Sequence, residues 1–166
     1  MMPAIQAGKI APDFTLLAVA GQQVSLKELL NHGPVLAAFF KISCPVCQFA
    51  FPFIERIYKA SGQRNVSIIG VSQNNQKDTA AFMKEFGITF PVLLDDPASY
   101  PVSNAYGLTN VPSLFWIAQD GEIEISSVGW SRQDIEQINE RASATSGTTK
   151  HPVIQPGESV PEFRAG

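Results

Sequence analysis

Six consecutive apolar residues, Val35 to Phe40 (VLAAFF), run almost directly into Cys44-Pro45-Val46-Cys47, and this junction constrains the fold more than any other stretch. A continuous apolar run set off by Gly33-Pro34 has the form of a central strand buried on both faces, which requires a sheet with helices on either side. Beyond the cysteines, Val46, Ala50, Phe53, Ile54 and Ile57 recur at helical spacing. They predict a helix to about Ala60, kinked at Pro52 and ended by Ser61-Gly62. The two cysteines therefore stand where a buried strand passes into a helix.

Around that junction the chain alternates strand and helix signals. Asp13 to Val19 reads as a strand, Gly21-Gln22-Gln23 as a turn, and Ser25-Leu26-Lys27-Glu28 as a capping box opening a short helix through Leu30. Val66 to Val71 is a second buried strand, followed by a helix from Gln76 to Phe86 with Thr79, Phe82, Met83 and Phe86 on one face. A short strand over 90–94 and a short helix over 101–106 come next. Strands over 113–118 and 122–128, separated by Gln119-Asp120-Gly121, should pair antiparallel. Ser131 to Asp134 resembles another capping box, introducing a helix with Ile135 and Ile138 inward. This order predicts an α/β protein with a central mixed β-sheet flanked by helices.

The length of 166 residues suits one domain, and 45% hydrophobic against 16% charged residues excludes a wholly disordered chain. We assign 1–141 to that domain and 142–166, small and polar and then proline-rich, to a flexible or extended C-terminal tail. Val153 to Phe163 nevertheless echoes Ala4 to Phe14, with Ile, Gln, Gly, Pro and Phe in the same register. Either this is chance similarity between Pro/Gly-rich segments or the tail docks as a second extended arm, for instance across a dimer. A net charge of -3 gives no basic surface for nucleic acid, and no apolar run approaches the roughly 20 residues of a membrane span. The first nine residues lack the pattern of a secretory signal, which predicts a cytoplasmic protein, or an exported one if a leader was removed. The oligomeric state is not encoded in any of these features.

Cys44 and Cys47 are the only cysteines. Under reducing conditions such a pair points to catalysis or metal binding, because a staple closing so short a loop removes little chain entropy. At a helix start, free N–H groups and the positive helix end favour thiolate at the first cysteine. Cys44 is accordingly the candidate nucleophile, and Cys47, one turn further in, the thiol that resolves a mixed disulfide.

Several segments carry a family resemblance: Ala11-Pro12-Asp13-Phe14-Thr15-Leu16, FFKISCPVC, Pro52 five residues past Cys47, Gly87 to Leu93, and Tyr106 to Ser113. In this order and spacing, over roughly Gly8 to Arg141, they resemble the redoxin branch of the thioredoxin superfamily. That branch includes TlpA-like thiol:disulfide oxidoreductases and the AhpC/TSA alkyl hydroperoxide reductases. The resemblance implies a thioredoxin-like fold with an N-terminal strand extension, and activity without a bound cofactor. It implies protein disulfides as substrates and a thiol electron donor as partner. It also implies a cis Val111-Pro112 peptide beside the dithiol, with the Val111 backbone and Pro112 receiving substrate. Three departures stand out: Ser43 in place of the usual tryptophan, Ala38 in place of a buried aspartate, and Ala50 in place of a glutamate common in TlpA-like proteins. The acid/base group for Cys47 is therefore not identified. Lys41 reads as a solvated lysine at a strand end before it reads as a group acting on Cys44.

Three alternatives stand beside this reading; one, a redox-inert interaction domain, leaves an intact dithiol at a helix start unexplained by packing alone. A peroxiredoxin-type peroxidase would need Pro and Thr where Ala37 and Lys41 stand. A copper or zinc module would need ligands beyond the two thiols, and His32 and His151 lie far away in sequence. Phe49 and Phe51 flank the dithiol and offer either an apolar surface for a protein substrate or core packing. Trp116 and Trp130 are assigned to the core.

Overall fold

A computed structural model describes residues 4–166. Thr15–Ala18 (β1) turns back into Gln23–Ser25 (β2), and Ser25 then caps Leu26–Leu30 (α1) by accepting the Glu28 N–H at 3.1 Å. The sequence predicts a return toward a helix here. The three-residue β2 precedes it because hydrogen bonds to β1 extend the chain first. Val35–Phe40 forms β3, followed by Pro45–Ser61 (α2), Ser67–Ser72 (β4), Gln76–Phe86 (α3) and Val92–Leu94 (β5). Pro101–Ala105 (α4), Ser113–Ile117 (β6), Ile123–Val128 (β7), Trp130–Ser131 (β8), Arg132–Ser146 (α5) and Phe163–Arg164 (β9) complete the chain. No helix among the described residues is long and apolar enough to cross a membrane.

Seven strands make one sheet in the order β2-β1-β5-β4-β3-β6-β7. β3 pairs parallel with β4 and antiparallel with β6, so the apolar run read from the sequence is the central strand, fully buried along its length. Its alternate residues feed two cores. Leu36, Ala38 and Phe40 join Cys47, Phe51, Ile54, Phe82, Trp116 and Ile138 on one face. Val35, Ala37 and Phe39 join Phe14, Leu26, Tyr106 and Phe115 on the other. The alternation follows from the two-residue period of a strand and explains why both faces need cover.

The last helix continues to Ser146, past the expected boundary at Arg141. Ala142, Ser143 and Ser146 are buried, and Gly147 ends the helix in the left-handed conformation at φ 70. Small residues that look like linker in composition here let α5 lie close to the body. Beyond it, the tail is extended and held at several points. Val153 is buried, the Arg56 guanidinium grips both Glu158 oxygens at 2.6 and 2.8 Å, and β9 pairs antiparallel with β8. Arg56 and the Gln155 N–H hold the Glu158 carboxyl down to about 2.

The echoing segments dock alike, on opposite faces of the sheet. Ala4 and Val153 are both buried, Gly8 and Gly157 turn the chain at φ 92 and 88, and each proline carbonyl accepts from a buried aromatic. Tyr106 Oη donates to Pro12 O at 2.7 Å, and Trp130 Nε1 donates to Pro161 O at 2.7 Å.

Candidate active site

The Cys-x-x-Cys spacing is a helix cap. Cys44 is the N-cap of α2 with extended backbone, Pro45 follows where its missing N–H is no loss, and the Cys47 N–H reaches back to Cys44 Sγ at 3.1 Å. Sulfur thus takes the place that a serine or aspartate oxygen has at other helix starts. The loop before it is pinned. The Ile42 N–H donates to Asn74 Oδ1 at 3.0 Å, and Gln48 Nε2 donates to Ile42 O at 2.9 Å.

Val111 reaches the dithiol because of strand direction. β3 and β6 are antiparallel neighbours, with Phe39 opposite Ser113, so the end of β3 and the residues just before β6 share one edge. There the Cys44 thiol donates to Val111 O at 3.4 Å. The Val111-Pro112 peptide is cis, Val111 half-buried and Pro112 buried. The four residues singled out from the sequence are therefore brought together: Cys44, Cys47, Val111 and Pro112.

The two thiols differ in access. Cys44 is half-exposed, whereas Cys47 has no exposed surface. Burial above all, reinforced by the side-chain contact with Cys44, pushes the Cys47 thiol well up, and backbone hydrogen bonding at Lys41 and Cys47 only partly opposes this. Among the described residues, no group of three or more His, Cys, Asp or Glu side chains forms a metal-ligand set.

Neighbouring residues sort themselves clearly. Phe51 lies in the core, its ring centroid 4.3 Å from that of Phe40. Phe49 is half-buried beside the site, its ring edge-on to Trp130 at 4.9 Å and under the Arg164 guanidinium at 5.4 Å. Lys41 is exposed, with Nζ 5.8 Å from the Tyr100 ring centroid. Glu55, on α2, is nearly buried but serves the fold. Its carboxylate accepts from the Thr89 and Phe90 N–H groups at 2.8 and 3.3 Å and from the Thr89 hydroxyl. Sequence reasoning did not single out Asn110, Gly129 or the segment 163–166, all of which border the site. Only the repeat ending at Phe163 hinted that this segment docks.

Comparison with known proteins agrees with this geometry. The chain is 31% identical over 137 residues to the thiol-disulfide oxidoreductase ResA of Halalkalibacterium halodurans, covering 81% of this chain and 76% of that one. It is 32% identical over 120 residues to the Bacillus subtilis ResA, covering 72% and 65%. Among solved structures, the thioredoxin domain of a Bacteroides vulgatus thiol-disulfide oxidoreductase superposes with a TM-score of 0.74 at 21% identity, covering 83% and 98%. A thiol:disulfide interchange protein of the thioredoxin family from Chlorobium tepidum superposes with a TM-score of 0.67 at 24% identity, covering 85% and 99%. These last two likenesses establish the thioredoxin-like fold. Residues 7–126, from the N-terminal arm through the dithiol to β7, match the AhpC/TSA family, and the chain belongs to it.

Proposed function

We propose that this thiol:disulfide oxidoreductase reduces disulfides of protein substrates, with Cys44 as nucleophile and Cys47 as resolving thiol. The observation that carries the reading is the asymmetry of the pair: one thiol half-exposed at a helix cap, the other buried one turn behind it. In the first step the Cys44 thiolate attacks a substrate disulfide. A Cys44–substrate S–S bond forms, the substrate S–S bond breaks, and one substrate thiolate leaves and takes up a proton. Cys47 then gives up its proton and attacks Cys44 Sγ. The Cys44–Cys47 bond forms, the mixed disulfide breaks, and the second substrate thiol departs.

Two electrons have then passed to substrate, and a thiol donor restores the dithiol by the reverse exchange. Burial keeps Cys47 neutral in the resting protein, leaving Cys44 the only thiol a substrate reaches. The Val111 backbone, next to Pro112 and in contact with Cys44 Sγ, is suited to pair with an extended substrate segment.

Equilibration in glutathione buffers tests this. The wild-type chain should show a reversible two-electron couple below about -220 mV, in the range of reductases. Cys44→Ser should abolish exchange, and Cys47→Ser should accumulate a mixed disulfide with substrate. A value near about -120 mV would mark an oxidant instead, and failure to form an intramolecular disulfide would remove the dithiol mechanism.

A further inference from the structure

The surface beside Cys44 on which a substrate would pair is already in use. Trp130–Ser131 pairs antiparallel with Phe163–Arg164, and the pairing is extended by the Arg132 N–H donating to Glu162 O at 2.9 Å. The chain then runs on across the mouth of the site. Two glycines record how closely it lies. A side-chain carbon at Gly129 would fall 2.5 Å from Arg164 O and 3.2 Å from Gly166 N, and one at Gly166 would overlap the Val111 carbonyl group. Asn110 Nδ2 donates to the Gly166 main-chain oxygen at 3.1 Å, and the Arg164 guanidinium lies over the Phe49 ring. Val111 O, against which Gly166 sits, is the same atom that accepts from the Cys44 thiol.

We propose that Arg164–Gly166 fills the peptide-binding groove between Gly129 and Val111, and that a protein substrate must displace it to pair beside Cys44. The proposal rests on the reading that Val111 presents its backbone to substrates. The occupant also describes the partner that fits: an extended peptide, with a residue lacking a side chain against Val111 and a cation over Phe49.

The strength of the contact suits an exchangeable occupant. A two-residue pairing is marginal by itself, and an exposed cation–π contact is weak. Upstream, the paired Arg56 and Glu158 and the buried Val153 keep the segment tethered near the groove, so its competition with substrate is intramolecular. Disulfides of small molecules need only the half-exposed Cys44 sulfur and bypass the groove.

The test compares the reduced 166-residue chain with Gly166→Val and Arg164→Ala, using insulin as protein disulfide and 5,5'-dithiobis(2-nitrobenzoate) as small disulfide. Loss of the cation–π contact in Arg164→Ala should raise the insulin rate about two- to fivefold. The collision in Gly166→Val should raise it on the order of tenfold. The small-disulfide rate should not change, and each variant should still melt in one cooperative transition, lowered only by the lost docking contact. A peptide of sequence Glu-Phe-Arg-Ala-Gly, added in excess, should suppress the gain. An unchanged insulin-to-small-disulfide ratio in both variants overturns the proposal and leaves the dithiol mechanism standing. A fall in the insulin rate also overturns it, since the segment would then be helping substrate to bind. If the parent chain reduces neither compound, the dithiol mechanism fails and the proposal with it.

Discussion

Alkaline solution should destabilise the reduced protein through one thiol. Cys47 has no exposed surface, and burial holds its thiol well above the ordinary range. In the unfolded chain the same thiol ionises near about 8.5. At higher pH the unfolded state has lost a proton that the folded state keeps, so unfolding becomes easier as pH rises. Below about pH 8 the full contribution is present; above it, the slope tends to about 1.4 kcal/mol per pH unit, a loss of about 2 kcal/mol by pH 10. Tyr106, also raised chiefly by burial, adds its own loss only above about pH 10, where an unfolded tyrosine ionises. Tyr106 therefore adds nothing in the window between. To exclude the other thiol, Cys44→Ser is compared with Cys44→Ser/Cys47→Ala by urea unfolding at pH 7 to 10 under reductant. The single variant should lose about 2 kcal/mol more than the double across this range. Parallel curves would refute the reasoning: Cys47 would then ionise as readily folded as unfolded, and burial would not keep it neutral.

Two further outcomes concern α2. Glu55→Ala removes the acceptor for two backbone N–H groups and the Thr89 hydroxyl, and should cost about 2–4 kcal/mol in denaturant unfolding, with Glu55→Gln costing less; a loss under about 1 kcal/mol would show that the carboxylate does not anchor the loop before β5. Phe51→Ala should cost about 3–5 kcal/mol, as expected for a fully buried ring, and the half-buried Phe49→Ala about 1 kcal/mol; equal losses would place both rings in the core.

The central strand and the dithiol were legible because each is written in consecutive residues. Val35–Phe40 and the helix Gln76–Phe86 match the sequence reading residue for residue, the helix being bounded by Asn75 and Gly87 as caps. β2, β8 and β9 were not legible: unlike the equally short but wholly apolar β5, they carry polar residues with no apolar run to mark them, and they exist through their partners. The boundary expected at 141 falls inside α5 because Ala142, Ser143 and Ser146 look like linker until a neighbour buries them. Val111 and Pro112 were reached only through family resemblance. Their proximity to Cys44 depends on the antiparallel pairing of β3 with β6, which no local pattern announces. Asn110, Gly129 and the 163–166 segment meet at the site from three separate stretches of chain, and spacing within any one of them says nothing about the others.

The β3–β6 ladder has a consequence for how this site can fail. Five residue pairs, from Val35 opposite Ile117 to Phe39 opposite Ser113, fix both which side chains enter each core and how far Val111 stands from Cys44. A slip of one residue would carry Val111 about 3.4 Å along the strand and turn every apolar side chain of one partner to the opposite face. Misalignment of the site by that route and loss of the core are thus a single event. Mutations elsewhere can weaken the fold, yet the molecules that remain folded keep thiol and loop aligned, so specific activity per folded molecule should vary far less than yield.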